Sequence, residues 1–428
     1  MDTYRLRLTL ESPLAVSGSR DTANRSETRS AVPPTTLRGA LAARVRQNGA
    51  DDATLMELFG ETGCRTGALR PVASGTTAGT VTPAPLTLRS CKFQPGFHAD
   101  VDPKGRSMHG VEDLLFAALR FALREDGSGL SSARACAYPG CTHVLKAMGG
   151  FVRHNPEAGT WHKQGAADTR TQAHVGLDRR RRGAASGILY SREVISEKSG
   201  VKKQGETMLH PTQMQADVIV PPDMSRALTN ALAEGDTLRV GTARSRGLGR
   251  CTVASFSETA GPSQTVEERI AAFNAAWADV CERSGHSPDD GSLVALTLDT
   301  TALFVDDFLR PNLAPSGADL LQAAQPEEDA AAAALAQLSP VHQIARSTSV
   351  QSWNGLARFP HPSAQGLEAG SVLVFRATEM TDALLDALSH VETHGIGLRR
   401  HFGFGRVRVC APIHTHVHEH TAAAPTAA

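Results

Sequence analysis

One ten-residue pattern occurs at two places in the chain. Arg244-Ser-Arg-Gly-Leu-Gly-Arg-Cys-Thr-Val253 and Arg400-His-Phe-Gly-Phe-Gly-Arg-Val-Arg-Val409 both read R-x-x-G-[LF]-G-R-x-x-V. Each copy opens a β-branched stretch and follows a helix-like segment, Met224 to Leu232 before the first and Thr381 to His390 before the second. Such a repeat implies one supersecondary unit built twice. Glycines permit left-handed backbone and leave amides uncovered for an anion, and flanking arginines offer bidentate phosphate contacts. A plain β-turn with solvent-facing arginines would explain one copy, but it does not require arginine at matching positions in two.

A chain of 428 residues has room for two domains with proper cores. Its 44 Lys and Arg balance its 44 Asp and Glu, so a nucleic-acid surface would have to be local. Between Lys163 and Lys203 there are ten Lys/Arg against four Asp/Glu, including the run Arg179 to Arg182. That run reads equally as a solvated loop. No apolar stretch approaches the roughly 18–20 residues of a membrane span and the first residues form no signal peptide, so a cytoplasmic protein without membrane contact is expected. Seven cysteines, an odd number, do not suggest a secreted disulfide framework.

Tyr4, Leu6, Leu8 and Leu10 alternate with Arg5, Arg7 and Thr9, the pattern of a half-buried strand. Pro33 to Leu41 starts a helix running to about Gln47, with Leu37, Leu41 and Val45 spaced by four. Residues 60–110 are rich in Gly and Pro and read as irregular; Val111 to Leu123 reads as a helix burying Val111, Leu114, Leu115, Ala118, Leu119 and Phe121. Gln213 to Val220 alternates as a strand, followed by the helix, the first glycine loop and the strand Cys251 to Phe256. Thr265-Val-Glu-Glu268 is a capping box opening a linking helix. A second unit then repeats the order: strand Leu293 to Leu298, an acidic, alanine-rich excursion from Gly317 to Pro340, strand Gly370 to Phe375, helix, and second loop. The expected fold is therefore α+β, two tandem ferredoxin-like (RRM-like) domains with glycine-rich loops and a long irregular insertion in the first. The boundaries expected are 1–260 for the first domain with its insertion at about 60–205, 261–290 for the linking helix and 291–413 for the second domain. The rest, 414–428, is expected to be a disordered His/Ala-rich tail, its four alternate histidines sharing a face only if it formed a strand.

Cys136 and Cys141, four residues between them, can share one zinc. Cys91 is the third expected ligand, with Cys64 or a histidine (His98, His109 or His143) completing a structural site; reduced, buried thiols are the competing reading. Cys251 and Cys410 are expected in cores. For catalysis, His174, Asp178 and Tyr190 are acid and base candidates, with His210 as a further base, but no spacing demands that role. Aromatics make up 5% of the chain, and strands Tyr4 to Leu10 and Leu293 to Leu298 are expected to expose Arg, Thr and Ala. RNA would then be held by loops rather than stacked on sheets. Phe402 and Phe404 could stack on a base, or anchor the core.

The paired glycine loops, the Pro33-to-Leu41 helix entry, His174-Val-Gly-Leu-Asp178-Arg179 with Gly187-Ile-Leu-Tyr190, and Ser352-Trp-Asn-Gly-Leu-Ala-Arg358 before Gly370 resemble the RAMP superfamily of CRISPR-associated proteins. Within it the chain most resembles the large two-RRM subunit of type III-D effector complexes, and Pro83 to Lys92 with the later cysteine pair fits that group. The resemblance implies a subunit that holds the 5′ end of a crRNA and caps a filament of backbone subunits in antiviral defence. Its partners would be that guide, a large polymerase-like subunit, backbone RAMP subunits, and target RNA through the guide. It further implies RNA contacts at Arg20, Arg38, Arg179, Arg244, Arg246, Gly247, Gly249, Arg250, Arg399, Arg400, Gly403, Gly405 and Arg406. The alternative is a RAMP endoribonuclease that processes crRNA or cleaves target RNA, with Asp178 or the Asp306-Asp307 pair in support.

Overall fold

The computed structural model describes the chain apart from residues 23–24, 74–78, 103–104, 124–134, 179, 204–205, 260, 262, 286, 288–289, 323, 325, 355–358 and 424–428. For 17–22, 184–188, 201–203, 206–207, 353–354 and 418–423 it describes the backbone alone. It is a mixed α+β chain that divides into two compact units, Met1–Val81 with Gln164–Thr259, and Thr82–Lys163 with Ala260–Ala428.

In the first unit the alternation of Asp2–Leu10 is realised, with Tyr4, Leu6, Leu8 and Leu10 buried. That strand pairs antiparallel with Gln213–Val220 on one side and Arg250–Glu258 on the other. Thr237–Arg239 extends one edge, and Arg65–Thr66 and Arg70–Val72 the other. Helix Pro34–Gln47 places Leu37, Leu41 and Val45 in the same core as Leu6, Leu8 and Val253, together with Leu228 and Ala231 of helix Ser225–Ala231. Burying each such side chain stabilises by about 1.5–3 kcal/mol, so this shared core is what holds the helices to the sheet.

The second unit repeats the plan. Its sheet runs Ser339–Ile344, Val372–Ala377, Ser292–Leu298, Val407–Val409, all antiparallel. Helices Asp329–Leu335 and Asp382–His394 occupy the chain positions that Pro34–Gln47 and Ser225–Ala231 hold in the first unit. In both units the order along the chain is strand, helix, strand, strand, helix, strand, and the sheet runs fourth, first, third, second.

Several expectations need correction. Ser292–Leu298 does not expose Ala or Thr: Ala295 and Thr297 are buried like their neighbours, and an unbroken buried run means that both strand faces are covered. Val111 to Leu123 is not one helix, since Val111–Asp113 pairs with Leu88–Cys91 and the helix is Leu115–Ala122, leaving Phe121 exposed. The helix opened by the Thr265 capping box, Val266–Arg283, needs no such correction: it packs on one unit, with Ile270, Phe273 and Trp277 in the second core beside Leu115, Phe116 and Leu119. The supposed insertion at 60–205 is shared out, because 82–163 belongs to the second unit. Nor is the whole of 414–428 a loose tail. Pro412–Ala423 is a helix in which Ile413, His414 and Val417 are buried, so the alternating histidines cannot share a strand face.

Candidate RNA interface and metal centre

The two glycine loops superpose in their bonding as well as their sequence. Ala243 and Arg399 take left-handed φ of 55° and 57°, Gly247 and Gly403 84° and 85°, Gly249 and Gly405 74° and 70°. Val240 N–H donates to the Gly249 carbonyl as Ile396 N–H does to Gly405, each at 2.8 Å. Gly249 N–H donates to Pro13 O, and Gly405 N–H to Thr301 O, again 2.8 Å each. The amide of Arg250 is capped by the Ser12 hydroxyl and that of Arg406 by Thr300, both at 2.9 Å. Even the acid is duplicated: Arg250 Nε lies 2.6 Å from Glu11, and Arg406 Nε 3.9 Å from Asp299. The repeat therefore extends upstream to Gly241 and Gly397, at φ 83° and 72°, and into the segment that follows each unit's first strand.

The loops differ in what surrounds them. Arg244, Ser245, Arg246 and Gly247 are exposed, whereas at the matching positions Arg400, His401 and Phe402 are half-buried and Gly403 is buried; Leu248 and Gly249 are buried as Phe404 and Gly405 are. Phe404 is thus a core anchor. Arg400 forms a bidentate pair with Glu328, 2.7 Å on each arm, and His390 Nε2 lies 2.8 Å from the same carboxylate. A pair so desolvated would cost about 3–5 kcal/mol to break, so Arg400 is committed to structure rather than to a ligand. The first loop instead faces an open groove of about 790 Å³ lined by Ala40, Ala43, Arg44 and Gln47 of the first helix, by Thr237–Arg239, and by Arg244, Ser245 and Gly247. Residues 40, 43, 44 and 47 form one helical face, on which the two alanines, Ala40 and Ala43, leave room beside Arg44 and Gln47. Arg44 is held by Asp236 at 2.6 Å and the Ala231 carbonyl at 3.0 Å, and Arg239 donates to the Arg244 carbonyl at 3.3 Å.

Other expected contacts fall elsewhere. Arg38 donates to the Phe59 carbonyl and lies over the Phe59 ring at 5.7 Å, with burial lowering its pKa; it does not line the groove. Arg246 donates to the Tyr190 hydroxyl, tying the loop to the hairpin Thr169–Asp178 and Gly183–Ile195. Arg399 is half-buried. The Arg20 side chain, Arg179, and residues 355–358 of the Ser352–Arg358 segment lie outside the described residues. Sequence reasoning missed Arg44 and Arg239; the small-residue helix face beside Arg44 was the available signal.

The catalytic candidates do not converge. His174 stacks on Tyr190 across the hairpin at 4.9 Å, whereas Asp178 accepts amide bonds from Arg180 and Arg181 at the turn. Four residues along a strand separate His174 from Asp178 by about 13 Å. Asp306 likewise accepts from Arg310 and the Phe308 amide and closes a turn.

The metal expectation gains its fourth member. Cys91, His109, Cys136 and Cys141 place their ligand atoms within 4.8 Å of one another. Cys91 Sγ lies 3.7 Å from Cys141 Sγ, and Cys136 Sγ 3.6 Å from His109 Nδ1. Tetrahedral zinc with ordinary bond lengths would set these edges at about 3.8 and 3.6 Å, so the donor set fits. The Phe93 amide points at Cys91 Sγ at 3.4 Å, as it would toward a thiolate. Burial pushes the Cys136 thiol up to about 12, with the adjoining thiols adding to it. Burial also acts against the Cys91 thiolate, but the amides of Gln94 and Phe93 and the nearby thiols outweigh it and lower that pKa. Cys64 is excluded as a ligand: it is buried in the first unit's core, where burial holds it at about 12. Cys251 and Cys410 are buried as expected.

No protein-family model and no curated protein matches the chain. Solved structures similar to it include CRISPR-associated proteins. A chain of the type III-B Cmr-beta complex bound to cognate target RNA and AMPPNP is 10% identical, covers 95% of this chain and 99% of its own, and has a TM-score of 0.41. A CRISPR-associated Cas6 protein is 7% identical over 95% of this chain and 98% of its own, TM-score 0.32. Oligomeric Cmr4 from Pyrococcus furiosus is 12% identical over 61% of this chain and all (100%) of its own, TM-score 0.24. Among the described residues no helix is long and apolar enough to cross a membrane.

Proposed function

We propose that the chain is a RAMP-superfamily subunit of a type III, III-D-like CRISPR effector complex, built on two ferredoxin-like (RRM-like) cores, that holds a guide RNA by its backbone. The observation that carries this is the pairing of two loops with one bonding scheme, of which the first is left open on an arginine-bearing groove. Phosphates need exposed positive charge and amides rather than base-stacking sheets, and the groove supplies arginines from three elements. Arg244 and Arg239 are exposed, and Arg44 and Arg239 are positioned by their own bonds, so the groove is preorganised. In such an assembly the chain caps a filament of backbone subunits beside a polymerase-like large subunit, in the cytoplasm. The second loop, with Arg400 clamped by Glu328, stabilises its own unit instead. A structural zinc in the Cys91, His109, Cys136, Cys141 site pins three distant stretches of chain together and supplies no chemistry to RNA. Asp178, held by amides at the turn, stands apart from His174 and Tyr190, and Arg246 engages the Tyr190 hydroxyl, so the endoribonuclease alternative is the less supported reading.

Fluorescence anisotropy on repeat-derived guide RNA at several salt concentrations tests the groove. Arg244→Ala is expected to weaken binding and to lower the slope of log affinity against log salt by about 0.7, one phosphate contact on a single strand. Arg400→Ala is expected to change stability but not the slope. An unchanged slope for Arg244→Ala defeats the phosphate assignment.

A further inference from the structure

The metal lobe of the second unit presents aromatic rings outward in a way that its metal does not require. Phe93, two residues after Cys91, is 61% exposed, and Tyr138, between Cys136 and Cys141, is 39% exposed. Each lies flat against a histidine of the lobe: Phe93 on His143, 5.1 Å between centroids at 19°, and Tyr138 on the ligand His109, 4.0 Å at 3°. The rings are therefore held in fixed planes by the knuckle, while much of their surface remains in solvent.

Lysines flank the two rings. Lys92 and Lys146 are exposed, and the Lys92 amide bonds to the Val144 carbonyl at 3.2 Å, next to the pairing of Leu88–Cys91 with Leu145–Ala147. Residues 88–98 and 135–148, which carry Phe93 and Tyr138, contain no aspartate or glutamate. Arg89, by contrast, is half-buried, donates to the Leu86 and Leu88 carbonyls and faces Glu112 on the neighbouring strand. Three thiolates around a divalent ion leave one net negative charge, which the two lysines outweigh. Planar rings at fixed angles beside lysines suit the flat faces and charged backbone of unpaired nucleotides, the rings taking bases and the lysines phosphates.

We propose that this knuckle is a second contact surface for single-stranded RNA, carried on the other unit from the glycine-loop groove, with bases stacking on Phe93 and Tyr138 and phosphates meeting Lys92 and Lys146. It rests on the reading of the chain as an RNA-binding protein but not on the groove being the place of contact. The metal sets the ring planes, so it acts through position only.

The test uses the full chain loaded with zinc and a fluorescein-labelled single-stranded oligouridine, with a 4-thiouridine version for crosslinking and peptide mapping. Phe93→Ala and Tyr138→Ala are each expected to weaken binding on the order of 5- to 100-fold, and Phe93→Tyr and Tyr138→Phe to restore most of it. Zinc content unchanged in all four shows that the lobe still folds. Crosslinks are expected within 88–98 and 135–148. Unchanged affinity in the alanine variants with no crosslink there overturns the proposal. Loss in Arg244→Ala alone does so as well, and leaves the groove reading standing. Loss in the knuckle variants alone supports the knuckle and sinks the groove. Knuckle variants that bind RNA normally but no longer assemble with a protein partner would make this a protein surface, which also overturns it.

Discussion

Gly249 and Gly405 carry φ of 74° and 70°, and a Cβ on either would collide with a carbonyl oxygen, that of Val240 or Ile396. Gly247 has the same left-handed backbone, φ 84°, but open space where its Cβ would be. The three therefore separate strain from crowding. Gly247→Ala is expected to cost about 1 kcal/mol of unfolding free energy, the left-handed penalty alone, and Gly249→Ala upwards of about 2 kcal/mol, measured by urea titration. Equal costs would mean that the close approach to Val240 is not what fixes the loop. The glycines and the general role of these loops were legible because the residue type itself carries the conformational information. What surrounds each arginine was not, because Glu328 lies 72 positions from Arg400 and nothing local announces it. His109 could be named only as one of several alternatives beside Cys64, His98 and His143 for the same reason: it meets Cys136 across 27 residues with no ligand spacing to mark the pair.

At the scale of elements, alternation in Asp2–Leu10 and the capping box before Val266–Arg283 could be read directly, since both patterns follow from local periodicity. The stretch from Leu88 to Met148 could not. Its strands are three or four residues long, below the length at which a period shows, and Leu88–Cys91 is held between Val111–Asp113 and Leu145–Ala147 by pairing rather than by propensity. Short strands with a small core need a staple. A zinc site is worth on the order of 10 kcal/mol in comparable small folds, more than such strands can supply. The purified chain is expected to carry about one zinc, retained in Cys64→Ser and lost in Cys136→Ser and His109→Ala by elemental analysis. Amide exchange in Leu88–Cys91 and Leu145–Ala147 should then accelerate while that of Asp2–Leu10 does not. Zinc retained without Cys136 would dismiss the site.

Across the whole molecule, neither unit is continuous in sequence. The second takes residues 82–163 out of the middle of the first, and with them Leu115, Phe116 and Leu119 of its core. Asp113 belongs to the same stretch and closes a buried relay: it bonds His414 Nδ1 at 2.5 Å, and His414 Nε2 meets the Thr297 hydroxyl at 2.9 Å. Residues 260–428 expressed alone would leave His414 without its carboxylate and the core without three large side chains. That fragment is expected to lack a cooperative unfolding transition, and co-expression with 82–163 to restore one; a sharp transition in the fragment alone would contradict the shared core.

The interleaving also sets a schedule. On a ribosome, residues 82–163 emerge well before the rest of their own unit, which begins at 260, and the unit they interrupt cannot close until 259 is made. At about 5–20 residues per second, Leu115, Phe116 and Leu119 wait on the order of ten seconds or more with their apolar faces uncovered. During that interval the knuckle, whose four ligands and flanking strands all lie between 88 and 147, has everything it needs to close on its own metal.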